Sequence, residues 1–229
     1  MRKVFCFLAL ASSCFSFDLA IDVGHNAIQS GALSASCKKE YEYNKDLTSY
    51  IMKKMAVLDP KIQIKSNVRN TKVTFEDRYD MSKAKNLFIS IHHDSVMPQF
   101  ITYNQHKCPQ SNHAKGYSIF VSRKNIDFQK SLYFAKKFAN SLKSAGLKPS
   151  LHHNENIGGE NRELIDKDLG IYVFDDLKVL KNSFSPAFLF EAGVIVNSDD
   201  EKTIGSNHFR EIVSDAVYSI VGQKGESPF

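Results

Sequence analysis

The chain has 229 residues, of which 42% are hydrophobic, and its formal net charge is +5. This length suits one well-buried core and is too short for two large ones. The mild basicity comes without an Arg/Lys stripe or cluster, which argues against nucleic-acid binding. No internal repeat or linker divides the sequence, so we expect one folded domain.

The first residues are typical of an export signal. Arg2 and Lys3 precede an apolar stretch and then small residues in "MRKVFCFLALASSCFSF", the order that secretory signals need. The stretch is shorter than a bilayer span. We therefore predict a signal peptide at 1–16, a folded domain at 17–229, no membrane span, and a periplasmic or extracellular location.

Short apolar runs alternate with amphipathic segments along the rest of the chain. Five runs predict strands, at 19–24, 62–66, 87–91, 117–122 and 187–193. Apolar residues at helical spacing predict helices around 43–55, 128–142 and 209–220. Continuous apolar strands separated by helices are typical of a sheet covered on both faces, so we predict the α/β class.

Three polar residues follow predicted strands, where α/β proteins usually bind ligands. His25 follows the run at 19–24, His92 follows the run at 87–91, and Glu191 follows "PAFLF". A hydrolytic zinc site needs imidazoles, usually a carboxylate, and a separate base. We expect His25 and His92 to supply the imidazoles.

Glu40 is the preferred carboxylate ligand. It shares the apolar helical stripe of Leu47, whereas Glu42 shares the polar face of Asp46. An acid on the core side of a first helical turn needs a partner such as a cation. The alternative is that Glu40 only complements the helix dipole.

Glu191 is the candidate catalytic base. It lies in "AFLFEAGVIV", where apolar neighbours would desolvate the carboxylate and raise its pKa toward the range useful for proton transfer. The alternative is a buried structural acid paired with Arg69 or Arg78.

Only one of the two adjacent histidines can join His25, because consecutive side chains of an extended segment point to opposite faces. We choose His92, the first residue past the apolar run. For His93 the favoured interpretation is a structural, hydrogen-bonded histidine; the alternative is that His93 and Asp94 support the ligands through hydrogen bonds. The remaining histidines are predicted to lie at the surface or at the rim of a cleft; they are His106, His113, His152, His153 and His208. The two cysteines of the mature chain, Cys37 and Cys108, form a disulfide or remain separate thiols.

Four motifs together carry a family resemblance. "DVGHN", "GALSASCKKEYEYN", "FISIHHDS" and "PAFLFEAGVIVN" resemble the zinc-dependent N-acetylmuramoyl-L-alanine amidases of cell-wall amidase family 3. The resemblance implies Zn²⁺ bound by His25, Glu40 and His92, with Glu191 as the catalytic glutamate. It also implies a single zinc amidase domain at 17–229, built on a mixed, mostly parallel sheet of about six strands with helices on both faces.

The resemblance implies hydrolysis of the amide between N-acetylmuramic acid and L-alanine in peptidoglycan, without an organic cofactor. The sequence leaves open whether a protein activator is needed. It departs from the family pattern at Asn26 and Cys37, where glycine is common, and at His93, where a small residue is usual. These changes alter the rim of the cleft rather than the ligands. We expect segments 96–115 and 151–166 to line the substrate cleft.

Three other functions compete with this prediction. A zinc peptidase acting on the stem peptide would use the same site on another bond. A non-catalytic cell-wall binding protein would keep the fold, but the presence of Glu191 argues against it. His92, Asp94 and a distant histidine satisfy the spacing of an iron oxygenase site, but such sites usually lie in all-β barrels.

Overall fold

The computed structural model describes residues 17–222, so the predicted signal peptide at 1–16 lies outside the described residues. The strands are β1 (Asp18–Val23), β2 (Gln63–Ser66), β3 (Leu87–Asp94), β4 (Thr102–Tyr103), β5 (Pro109–Gln110), β6 (Ser118–Val121), β7 (Glu163–Asp166), β8 (Ile171–Val173) and β9 (Ala187–Val194). The α-helices are α1 (Glu40–Leu58), α2 (Phe75–Asp80), α3 (Phe128–Ser144), α4 (Lys178–Lys181), α5 (Ser198–Ile204) and α6 (Asn207–Val221). Within this range, no helix has the length and apolar composition needed to cross a membrane.

Seven strands form the main sheet, in the order β2-β1-β3-β9-β6-β8-β7. Four of the neighbouring pairs are parallel, whereas β6 runs antiparallel to β9 and β7 runs antiparallel to β8. The predicted α/β fold with a mixed, mostly parallel sheet is therefore confirmed. The five predicted strands are β1, β2, β3, β6 and β9. Strands β7 and β8 were not predicted because runs of four and three residues are too short to show a period.

The two faces of the sheet bury separate apolar clusters. The larger cluster packs α1, α3 and α6 against one face, through side chains such as Leu47, Phe138 and Val213. The smaller cluster covers the opposite face with residues from α4 and from the turn after α2, such as Leu180 and Met81. Helices therefore cover both faces, as predicted.

Helix α1 begins without a side-chain cap, unlike α3 and α6. Asp127 and Ser206 accept backbone N–H groups at the starts of α3 and α6, but Lys39 makes no such bond at the start of α1. The first residue of α1 is Glu40. The position of Glu40 is explained by its contacts with two histidines, described below.

A disulfide joins Cys37 and Cys108, so the two cysteines are not separate thiols. The bond ties the loop before α1 to the loop after β4. Cys37 has a φ of 66°, the left-handed conformation that favours glycine. Glycine, which the family resemblance led us to expect at this position, adopts this conformation without strain.

Removing the disulfide should destabilise the fold. The two cysteines are separated by 71 residues, and closing a loop of this size is expected to contribute up to about 4 kcal/mol. We expect the Cys37→Ser/Cys108→Ser variant to unfold at lower urea than the wild type. Urea melts without reductant measure this, and identical midpoints for variant and wild type under those conditions would contradict it. With reductant the two midpoints should converge.

Candidate functional site

The three predicted ligands converge at the carboxyl end of the parallel strands. His25 follows β1, Glu40 opens α1, and His92 lies near the end of β3. The Nε2 atom of His25 is 3.0 Å from Glu40 Oε2, and the Nδ1 atom of His92 is 3.1 Å from Glu40 Oε1. One donor atom from each residue lies within 4.8 Å of the others. A single ion could contact all three.

Glu40 is buried and held as a carboxylate. The backbone N–H of Ala32 donates to Oε2 at 3.1 Å, and Asn44 Nδ2 donates to Oε1 at 3.3 Å. Burial opposes ionisation, but hydrogen bonds and charge from His25 and His92 outweigh it and hold the pKa of Glu40 well below its usual range. Glu42, the rejected alternative, is exposed.

The two adjacent histidines point to opposite faces of the sheet. His92 lies on the face of the smaller cluster, whereas His93 packs against Tyr43 of α1, with ring centroids 5.5 Å apart. The Nδ1 atom of His93 lies 2.7 Å from Asn44 Oδ1, and Asn44 in turn contacts Glu40. Burial lowers the pKa of His93 to about 3, so this ring stays neutral. His93 therefore supports the Glu40 carboxylate through Asn44.

Arg78 fixes the backbone that carries His25. It forms a buried ion pair with Asp22 and donates to the carbonyl of Val23 at 2.6 Å and to the carbonyl of His25. His25 has a φ of 61°, which is uncommon for a residue with a side chain. Arg78 pairs with Asp22, so it is not the partner of Glu191 that the structural alternative required.

Two glycines leave room for the ligands. A Cβ on Gly24 would lie 2.4 Å from His92 Nε2, and a Cβ on Gly31 would lie 2.2 Å from Glu40 Oε2. Gly31 also has a φ of 74°, which side chains rarely adopt.

Gly24→Ala should therefore displace the His92 ring and weaken metal binding. We expect zinc affinity to fall by about 10- to 100-fold, the loss typical of changes that disturb ligand orientation. Gly158→Ala is a control for added side-chain bulk, because a Cβ there would meet nothing within 4 Å and its backbone is not in the left-handed region. Competition with a chelator of known affinity gives both values. Equal zinc affinity in the two variants would refute this reason for the glycine.

Glu191 lies beside His92 on the neighbouring strand, in direct register with it. Its Oε2 atom is buried and has no hydrogen-bond partner in the described part of the chain. Burial, together with the charges of Asp94 and Glu40, raises the pKa of Glu191 well above its usual range. His92 was expected just past its strand but lies inside β3, because the hydrogen-bonded pairing continues after the apolar run ends. Glu191 lies inside β9, within the strand predicted at 187–193.

A cleft of about 170 Å³ opens next to Glu191. His153, Glu160 and Arg162 line it, as expected for segment 151–166, whereas no residue of segment 96–115 does. The guanidinium of Arg162 lies over the Phe174 ring, 4.0 Å from its centroid.

The placement of His152 and His153 at the surface or rim was partly wrong. His152 is only 5% exposed, and both rings contact Asp94. Packing of loop 151–166 against the end of β3 buries them. The other three histidines set aside, His106, His113 and His208, are exposed as predicted.

An α/β domain that gathers two imidazoles, a carboxylate and a desolvated glutamate at its strand ends has the features of a metal-dependent hydrolase. The chain belongs to the N-acetylmuramoyl-L-alanine amidase family, whose family model matches residues 19–223. The family resemblance of the four motifs is thus confirmed.

Known relatives agree with this assignment. The probable cell wall amidase LytH of Staphylococcus epidermidis (strain ATCC 12228 / FDA PCI 1200) is 27% identical over 200 residues, which are 87% of this chain and 55% of LytH. The chain thus spans about half the length of that curated relative.

Solved structures share the fold. The N-acetylmuramyl-L-alanine amidase Ami1 from Mycobacterium smegmatis is 18% identical, with coverage of 90% of this chain and 95% of Ami1 and a TM-score of 0.68. The N-acetylmuramoyl-L-alanine amidase from Clostridium difficile 630 is 19% identical, with coverage of 92% and 99% and a TM-score of 0.68.

Proposed function

We propose that the protein is a zinc-dependent amidase that hydrolyses the bond between N-acetylmuramic acid and L-alanine in peptidoglycan. The observation that carries the proposal is the convergence of His25, Glu40 and His92 beside the unpartnered carboxyl of Glu191. Two imidazoles and one carboxylate form a donor set suited to Zn²⁺. When bound, the ion would supply Lewis-acid polarisation of the amide carbonyl and lower the pKa of water.

Glu191 would move the proton during the reaction. It accepts a proton from the attacking water, whose oxygen bonds to the amide carbon. As the C–N bond breaks, Glu191 passes that proton to the departing nitrogen of L-alanine. A desolvated carboxyl with a raised pKa suits this task, because it holds the proton between the two transfers.

Family membership and the Cys37–Cys108 disulfide support action outside the cytoplasm, in the periplasm or the extracellular space. The proposed export signal at 1–16 would deliver the chain there. Peptidoglycan is then the natural partner, and no nucleic acid or membrane span is part of the proposal.

The test is the mass of the fragments released from intact peptidoglycan by purified, zinc-loaded protein. Amidase activity releases free stem peptides that begin with L-alanine and leaves glycan with unmodified lactyl groups. A peptidase would instead leave L-alanine on the glycan. The absence of any released fragment from zinc-loaded wild type would support the non-catalytic alternative.

A further inference from the structure

A second group of metal-binding side chains lies beyond the end of β3. It contains Asp94 from that strand, and His152 and His153 from the turn that follows α3. Asp94 Oδ2 lies 3.3 Å from His152 Nε2 and 2.8 Å from His153 Nε2. One donor atom from each residue lies within 4.8 Å of the others. None of the three belongs to the candidate zinc site.

Both imidazoles have their other nitrogen engaged. His152 Nδ1 lies 2.8 Å from Ser150 Oγ, and His153 Nδ1 lies 2.8 Å from Glu160 Oε2. Metal-bound histidines almost always hydrogen-bond through the second nitrogen, which fixes the ring and its tautomer. Here that arrangement leaves both Nε2 atoms directed at the carboxylate of Asp94.

The surroundings of His152 Nε2 favour a bound cation. The atom is buried and has no hydrogen-bond partner among residues 17–222, although Asp94 Oδ2 lies 3.3 Å away. With the proton on Nδ1, toward Ser150, Nε2 presents a lone pair to the Asp94 carboxylate. In this tautomer the ring nitrogen and the carboxylate oxygen are both acceptors, and a cation bound between them would satisfy both.

We propose that Asp94, His152 and His153 bind a second divalent transition-metal ion, of the class that imidazole and carboxylate donors prefer. At bond lengths of about 2.0–2.2 Å, tetrahedral ligand atoms lie roughly 3.3–3.6 Å apart. The 3.3 Å separation between His152 and Asp94 fits this range. The 2.8 Å contact of His153 must widen as the ion displaces the proton shared with Asp94.

The ion would lie at the wall of the substrate cleft. His153 and Glu160 line the same cleft as Glu191, and the charge of Asp94 acts on Glu191. The second site is therefore distinct from the candidate zinc site but adjacent to the proposed base. Its occupancy does not depend on whether the protein hydrolyses peptidoglycan.

The test is the number of Zn²⁺ ions bound per chain at pH 8, measured by dialysis and elemental analysis of the purified protein. We expect two ions in the wild type, one in His153→Ala or His152→Ala, one in His25→Ala, and none in the His25→Ala/His153→Ala double variant. His113→Ala is the matched control and should keep two. His113 contacts Glu155 at 2.8 Å but belongs to neither candidate metal group.

Cobalt titration of the wild type provides a reading that needs no variant: two separate binding phases are expected in its visible spectrum. A wild type that binds one ion, lost in His25→Ala and kept in His153→Ala, would overturn the second site while leaving the first intact. A second ion that survives both His152→Ala and His153→Ala would also overturn the assignment. Circular dichroism of each variant identifies loss of fold.

Discussion

Glu191→Gln is expected to abolish peptidoglycan hydrolysis while zinc stays bound. The amide keeps the size of the side chain but cannot accept a proton, and loss of a general base typically costs about 10²- to 10⁴-fold in rate. The measurements are kcat on purified peptidoglycan and zinc content of the same sample. Glu42→Gln, on the exposed face of the same domain, is the control. Activity within a few-fold of wild type would eliminate Glu191 as the base.

The same substitution should stabilise the metal-free protein at neutral pH. Because the folded-state pKa of Glu191 is raised, ionisation penalises the folded state, and stability falls as pH rises from the unfolded pKa toward the folded one. Glutamine carries no such penalty. In EDTA, we expect the gain in Tm of Glu191→Gln over wild type to be larger at pH 7 than at pH 4. A gain in Tm that is smaller at pH 7 than at pH 4 would contradict the raised pKa of Glu191.

His92→Ala is expected to lose zinc, and His93→Ala to lose much less. His92 presents a ring nitrogen beside Glu40, whereas His93 reaches the site only through Asn44 and its own backbone N–H. A supporting residue of this kind costs about 10- to 100-fold in affinity, and loss of a direct ligand should cost more.

Zinc affinities of both variants, measured by chelator competition, decide the matter. His93→Gln keeps a hydrogen-bond donor toward Asn44 but not the ring. Zinc affinity nearer to wild type in His93→Gln than in His93→Ala would show that the hydrogen bond, rather than packing of the ring, supports the site. Equal losses in His92→Ala and His93→Ala would mean that the two histidines are not distinguished by the face of β3 on which they lie.

Much of the candidate site could be predicted because local sequence patterns indicate its residues. His25 and His92 each stand where an apolar run meets polar sequence, and Glu191 is the one charged residue within an apolar run; parallel strands bring such positions to one edge. The two-residue period of a strand showed that only one of His92 and His93 could join His25, and His92 was chosen as the first residue past the apolar run. Asn44 was missed, although it follows Glu40 by four residues and shares its helix face.

Other features depend on contacts between distant segments. The Asp94 group unites a strand end with a loop almost sixty residues away, and no period in "LHHNENIGG" indicates burial. The pairing of Cys37 with Cys108 spans 71 residues and likewise follows only from the packed loops. The ion pair between Arg78 and Asp22 joins residues 56 positions apart, so no local pattern indicates it.

The most direct measurement is an anomalous difference map, recorded at the zinc absorption edge, from crystals grown with Zn²⁺. The account predicts a peak at about 2.0–2.2 Å from His25 Nε2, His92 Nδ1 and a carboxylate oxygen of Glu40, with Glu191 nearby and not bound to the ion. No peak among these three residues in zinc-saturated crystals would contradict it.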